Sequence, residues 1–307
     1  MLTMSTEPAE AATVDVEALW VLQAMLDIPT LPPELRSLPY GAARTKDWLS
    51  VDPRIDTLQR NGLVGPNRTV VEAVADRLQA LAVPDVEIVI LLSHGEIHWP
   101  GPIDVDDPET WKLTAPQEQL SVVLARREGH WVSGVRGGEH ITLDDVDGAA
   151  GLAWIADIVI SLFDAFVPGE PSRLVAMNLP FDDLRAAARE RTRIGEANPG
   201  HDLPLRALGV PPAAVAELAE LIDSPAAEAV VYARVHTDTR VSSSSCTLDV
   251  RATPAGRVVL YRMPPRLGAS QDWMTITPAT AIQVTQGLQA VLNSLNVSDW
   301  TRHRRMG

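Results

Sequence analysis

The chain has 307 residues, 46% of them hydrophobic and 21% charged, a composition that can fill a large core and excludes disorder for most of the chain. It carries 40 acidic and 26 basic residues, and the resulting formal net charge of -14 disfavours nucleic acid and anionic membranes as partners. The single cysteine, Cys246, has no internal disulfide partner, and neither a signal peptide nor a membrane-spanning run is recognisable, so we expect a cytoplasmic protein without membrane insertion.

The first part of the chain is expected to be helical. Residues 1–13 are polar and rich in alanine, and we expect them to form a disordered leader. After the leader, apolar residues recur at the spacing of helix faces, and Pro29 ends the first of these segments. The predicted helices and helical turns cover 16–28, the surroundings of Trp48, 53–60 and 69–81.

A group of predicted strands follows these helices. The apolar run 86–92 is typical of a buried strand, and a long loop over 94–117 comes after it. Alternating residues, separated by Glu128-Gly129 and Gly137-Gly138, predict a meander. Its strands cover 120–127, 130–136 and 140–143. Asp144 or Asp145 is expected to cap the next helix, which runs through 152–163.

The second half repeats this order of elements. Two helices are predicted first, over 180–193 and 213–222. Strands are predicted next, over 227–236, 246–252, 257–263 and 273–277. A last helix is expected to start with Thr277 as N-cap and Pro278 in the first turn. The basic residues 302–305 are interpreted as a frayed, solvated end.

A shared phrase supports an internal duplication. Pro84-x-x-Glu87-x-Val89 and Pro225-x-x-Glu228-x-Val230 each open a strand directly after a helix. The sequence therefore predicts an α+β fold, a single domain over 14–307 with pseudo-symmetric halves 14–165 and 166–307. A central, mostly antiparallel sheet flanked by two helical bundles is the simplest packing of the two copies.

Motifs for catalysis or cofactor binding are missing from the sequence. His94 and His98 form the one close histidine pair, but Gly95 and Pro100 favour a loop over a helical zinc site. The serines at 242–245 lack the surroundings of a nucleophile elbow, and no phosphate-binding glycine motif stands between strand and helix. We therefore predict no catalytic residues, no metal and no cofactor, and a broad sheet that binds another protein.

The alternative from the residues alone is a small-molecule enzyme on an unfamiliar α+β scaffold. Arg126, Arg136, His130 and His236 would then surround its pocket. That hypothesis predicts a deep pocket with perturbed titratable groups, whereas a protein binder requires a shallow, partly apolar sheet surface.

Several phrases, spread over nearly the whole chain, carry a resemblance to known proteins. They are Leu22-Gln-Ala-Met-Leu-Asp-Ile28, Val122-Val-Leu-Ala-Arg-Arg127, His130-Trp-Val-Ser133, Asp223-Ser-Pro-Ala-Ala-Glu228, Val231-Tyr-Ala-Arg234 and Asp299-Trp300. These phrases resemble the EspG family, the ESX type VII secretion-associated proteins of mycobacteria and their relatives. The resemblance is greatest to members that serve the fifth ESX system, and the sequence departs from the family pattern over 94–117 and 168–203.

This resemblance implies a non-enzymatic cytosolic chaperone. Such proteins bind the helical tip of the PPE subunit in a PE-PPE heterodimer, keep it soluble and direct it to its secretion machine. The family's contact surface, on the central sheet and the C-terminal bundle, implies partner-binding residues at matching positions, and we hypothesise that Arg234 faces an acid of the partner. These residues are Val230, Tyr232, Arg234, Leu248, Val250, Gln283 and Gln286. The sequence leaves open the client pair and whether the free protein forms a weak homodimer.

Overall fold

One antiparallel sheet organises the protein. The computed structural model describes residues 11–37, 47–95, 97, 99, 107, 119–146, 151–195, 197–223, 225–263 and 271–305. Within these residues the sheet has eleven strands. They are β1 (Ala12–Asp15), β2 (Val86–Ser93), β3 (Leu120–Arg127), β4 (His130–Gly137), β5 (His140–Asp145), β6 (Met177–Pro180), β7 (Ala227–His236), β8 (Val241–Ser243), β9 (Leu248–Thr253), β10 (Gly256–Met263) and β11 (Trp273–Pro278). Their order is β1-β5-β4-β3-β2-β7-β9-β10-β11-β6, and β8 pairs with β7.

Eight α-helices pack on this sheet within the described residues, together with 3-10 turns at Pro33–Leu35 and Asp47–Val51. The helices are α1 (Val16–Leu26), α2 (Arg54–Arg60), α3 (Glu72–Ala82), α4 (Leu152–Phe166), α5 (Phe181–Ile194), α6 (Leu203–Ala207), α7 (Pro212–Asp223) and α8 (Ala281–Asn293). Most of them follow the apolar periodicity of the sequence.

The two halves meet at the centre of the sheet. Strands β2 and β7 pair antiparallel there, with Val89 opposite Tyr232 and Ile90 opposite Val231. Outwards from this pair the sheet runs β3, β4, β5, β1 on one side and β9, β10, β11, β6 on the other. Helix α3 precedes β2 as α7 precedes β7, and α4 follows β5 as α8 follows β11. This order confirms the predicted quasi-two-fold, mostly antiparallel architecture.

The two faces of the sheet are covered differently. Helices α4 and α8 pack across the central strands on one face, over a core that includes Ile90, Val231 and Leu248. The opposite face carries an N-terminal bundle (α1 to α3) over β1 to β5, and a C-terminal bundle (α5 to α7) over β10 and β11. Strands β7 and β9 therefore lie between the two bundles on that face.

Three local predictions differ from the structure. Strand β1 begins at Ala12, so the last residues of the expected leader are ordered; residues 1–10 lie outside the described residues. Gly151 caps α4, because Asp145 continues β5 and pairs there with the buried Arg77. Thr280 caps α8, because Thr277 still pairs with Val259 in β11. The predicted loop over 94–117 lies mostly outside the described residues.

The C-terminal segment is docked, contrary to the prediction of a frayed end. The buried Arg126 guanidinium donates to the carbonyls of Trp300, Thr301 and His303 at 2.6–2.9 Å. The backbone N–H of Arg305 donates to the carboxylate of the buried Asp85 at 2.8 Å. Because a buried guanidinium needs acceptors, the carbonyls of this segment hold it against the sheet.

Candidate functional site

The candidate site is the face of β7 and β9 between the two bundles, hereafter the central surface. Side chains alternate along a strand, so every second residue points to this face. Val230 lies opposite Asp249, and Glu228 lies opposite Arg251. Apart from the buried Val230, these side chains are half-buried. The residues of the central surface are Glu228, Val230, Tyr232 and Arg234 on β7 and Asp249 and Arg251 on β9.

A network of buried charges occupies one end of the central surface. The Arg234 guanidinium lies 2.5 Å from Glu34 Oε2 and 2.7 Å from Glu87 Oε2, and both carboxylates are buried. The Tyr232 hydroxyl donates to Glu34 Oε1 at 2.5 Å, and His236 Nε2 lies 3.2 Å from Glu87 Oε2. Arg234 is thus held by two carboxylates of its own chain, and an acid of a partner would have to compete with them.

Burial and charge shift the pKa values of this network. Burial alone would raise the pKa of Glu87, but Arg234 and His236 outweigh it and hold that pKa below its usual value. The pKa of Arg234 is raised, since Glu87 and Glu34 outweigh the effect of its burial. Burial and the neighbouring Glu34 raise the pKa of Tyr232. At neutral pH Glu87 and Arg234 therefore remain charged, and their ion pair persists.

The other end of the central surface carries three charges. Arg251 pairs with Glu228 at 2.6 Å and donates to the Leu221 carbonyl at the end of α7. Asp249 accepts a hydrogen bond from the Thr247 hydroxyl at 2.8 Å. Burial raises the pKa of Asp249 to about 6.

An exposed aromatic side chain, Trp99, lies over this surface. Its ring centroid is 5.6 Å from that of Tyr232, and 55% of the residue is exposed. Exposed tryptophan and half-buried tyrosine are enriched where proteins bind proteins. Trp99 is not among the contact residues predicted from the sequence, because nothing in the pattern around it indicates which strand its ring would contact.

The residues proposed from the family resemblance lie at three different places in the structure. Val230, Tyr232 and Arg234 lie on the central surface. Leu248 and Val250 point to the opposite face and are buried beneath α8, whose Gly287 packs so closely that an added methyl group would collide with Leu248. Gln283 and Gln286 lie on α8 itself, the first half-buried and the second exposed. A partner on the central surface would not contact Leu248 or Val250.

The four residues of the enzyme alternative are not gathered around one pocket. Arg126 lies on the face of α4 and α8, beside Trp131 and Trp300. Arg136 points to the opposite face and donates to the carbonyls of Leu35 and Arg36. His130 pairs at the surface with Asp145. Each side chain has a local structural partner.

A cavity of about 740 Å³ lies beside the C-terminal segment, away from the central surface, and is lined by Asp85, Glu128 and Arg305. Among the described residues, no group of three or more histidine, cysteine, aspartate or glutamate side chains could hold a metal ion. None of the described helices is long and apolar enough to cross a membrane.

Comparison with known proteins gives consistent matches. A sequence model of the EspG family matches residues 15–290. The chain is 37% identical to the ESX-5 secretion-associated protein EspG5 of Mycobacterium marinum (strain ATCC BAA-535 / M), over 96% of this chain and 97% of that protein. It has the same identity and coverage with EspG5 of Mycobacterium tuberculosis (strain ATCC 25618 / H37Rv).

A solved structure also matches 96% of this chain. It is the Mycobacterium tuberculosis type VII secretion system chaperone EspG5 in complex with a PE25-PPE41 dimer. The TM-score is 0.82 at 35% identity, and the match covers 96% of this chain and all of that one.

Proposed function

The chain belongs to the EspG family, and from this we propose that it is a secretion chaperone that binds a PE-PPE heterodimer through the helical tip of the PPE subunit. The observation that carries the proposal is the match, over the full length of the neighbour, to a chaperone bound to such a dimer. The proposal includes a cytoplasmic site of action, where an unsecreted client has to stay soluble, and a non-enzymatic role. It also includes one domain over 14–307, with halves 14–165 and 166–307.

The central surface suits this task physically. It is an area of sheet between two helical bundles whose polar side chains are half-buried, with an exposed tryptophan beside a half-buried tyrosine. A helical tip lying there would have its apolar side chains covered, and surface of that kind otherwise drives aggregation. Charged groups on both partners would set the register and exclude other proteins. Stable holding requires an interface of roughly 1,500 Å² or more.

The residues proposed for contact follow from their position. Val230, Tyr232 and Arg234 belong to the central surface, and Tyr232 contacts Trp99. Gln283 and Gln286 can contribute only through the outer side of α8, on the other face of the sheet. We therefore rank the β7 residues first, and we place Leu248 and Val250 in a supporting role beneath α8.

Co-expression tests the proposed function. The chain would be produced with PE25-PPE41 and with a panel of other PE-PPE pairs, then separated by size exclusion with light scattering. We expect at least one pair to co-elute with the chain as a 1:1:1 complex and to stay soluble where the pair alone aggregates. Separate elution from every pair would contradict the proposal. As a control, a PE-PPE pair from which the PPE tip has been deleted should not co-elute with the chain.

A further inference from the structure

Asp249 is a half-buried carboxylate at the end of the central surface that carries Glu228 and Arg251. On β9 it lies opposite Val230 on one side and Leu260 on the other, so both cross-strand neighbours are apolar. Its hydrogen-bond donor is the Thr247 hydroxyl, and within the described part of the chain it has no salt bridge. A half-buried carboxylate with one neutral donor keeps most of its capacity to accept hydrogen bonds.

The other charges of the central surface are matched within the chain. Arg234 is held by Glu34 and Glu87, and Arg251 by Glu228 and the Leu221 carbonyl. Four carboxylates thus face two guanidinium groups and His236, and Asp249 is the carboxylate that neither guanidinium contacts. The charge of Arg251 acts on Asp249 without forming a salt bridge with it, so the position beside Val230 still lacks a directly paired cation.

From this arrangement we propose that Asp249 is a specificity-determining residue that accepts a lysine or arginine side chain from the helical tip of the client. The proposal rests on the proposed function and adds to it the chemistry of the client's contact. A docked tip would remove the remaining water from Asp249. A client without a basic group there would leave a buried, unpaired charge, which disfavours that client. A client with one would form a charge-assisted hydrogen bond in a site of low dielectric.

The raised pKa of Asp249 agrees with this role. Its folded-state value of about 6, against an ordinary 3.8, means that the free fold disfavours the charged form. Replacing Asp249 by asparagine should therefore keep or raise the stability of the free protein at pH 7, while it lowers the affinity for the client. A residue that merely supported the fold would change stability and binding in the same direction.

The test compares Asp249→Asn with Asp249→Glu and with Asp56→Asn. The last is a matched control that removes one charge from a 70% exposed side chain on α2, far along the chain from β9. The binding probe is purified PE25-PPE41, or the first pair of the panel that co-elutes with the unchanged chain. Affinity would be measured by calorimetry at pH 7 and two salt concentrations, and the melting temperature of each free variant by circular dichroism.

We expect Asp249→Asn to weaken binding by about tenfold or more and to reduce its salt dependence, with an equal or higher melting temperature. Asp249→Glu should lose less affinity than Asp249→Asn, and Asp56→Asn should bind like the unchanged chain. Binding by Asp249→Asn within twofold of the unchanged chain would overturn the inference and leave the proposed function standing. A parallel loss of affinity and stability would also overturn it. Failure of the unchanged chain to bind any pair would instead contradict the proposed function.

Discussion

At the scale of single residues, the buried charges of the central surface connect distant parts of the chain. Glu34 lies in a 3-10 turn near the start, yet its carboxylate binds Tyr232 and Arg234 in the second half. The sequence predicted that Tyr232 and Arg234 share one face of a strand. It could not predict Glu34 as their partner, because a proline-rich segment has no period that indicates which strand it will contact.

Glu87 provides a prediction on pH dependence. Its pKa is lower in the folded chain than the ordinary 4.5, so its stabilising contribution is complete above about pH 4.5 and is lost as the pH falls through the folded value. We expect Glu87→Gln to lower the free energy of unfolding by about 2 kcal/mol at pH 7, since Arg234 keeps Glu34 as a partner. The difference from the unchanged chain should shrink below pH 4.5.

Urea unfolding from pH 3 to pH 7 measures that difference. Glu139→Gln is the control, because this exposed glutamate lies at the margin of an ion pair, 3.9 Å from Arg136. A difference for Glu87→Gln that stayed constant across the pH range, or grew toward acid, would be inconsistent with a lowered pKa.

At the scale of elements, periodicity predicted the long helices and strands but did not predict the short or irregular elements. The apolar run 86–92 became β2, which is buried on both faces as such runs usually are. Strands β1 and β6 have four residues each, too few for alternation to be recognised. The docking of the C-terminal segment depends on Arg126, whose partners are backbone carbonyls and therefore leave no trace in side-chain patterns.

Arg126 and its neighbour Arg127 form a matched pair for testing that docking. Arg126→Ala would leave the carbonyls of Trp300, Thr301 and His303 without their donor, and we expect the free energy of unfolding to fall by about 2–4 kcal/mol. Trypsin should then cleave faster after Arg302, Arg304 and Arg305. Arg127→Ala, whose side chain makes a long hydrogen bond of 3.4 Å to the Gln79 carbonyl, should change neither result much.

Limited proteolysis followed by mass spectrometry, together with urea unfolding, measures both effects. Equal rates of C-terminal cleavage in Arg126→Ala and Arg127→Ala would mean that the Arg126 hydrogen bonds do not hold this segment.

At the scale of the whole molecule, the duplicated order of elements predicted the architecture but not which two strands would pair where the two halves meet. The repeated phrase opens β2 and β7, and these two strands pair with each other at the centre of the sheet. The run 86–92 was expected as a buried strand and 227–236 as a strand, and a strand inside a sheet accepts neighbours on either side, so the sequence alone could not choose this pairing. The pairing places β7 between the two bundles, which is the position that the proposed contact residues Val230, Tyr232 and Arg234 share.

The most direct test of the account is photo-crosslinking from defined positions on the two faces and on the N-terminal bundle. Benzoylphenylalanine would replace Thr247 beside Asp249, Gln286 on the outer side of α8, or Val51, which is 79% exposed in the N-terminal bundle. With a co-eluting PE-PPE pair, we predict a strong crosslink from position 247 to the helical tip of the PPE subunit and none from position 51. Crosslinks from position 51 or 286 without one from position 247 would contradict binding at the central surface.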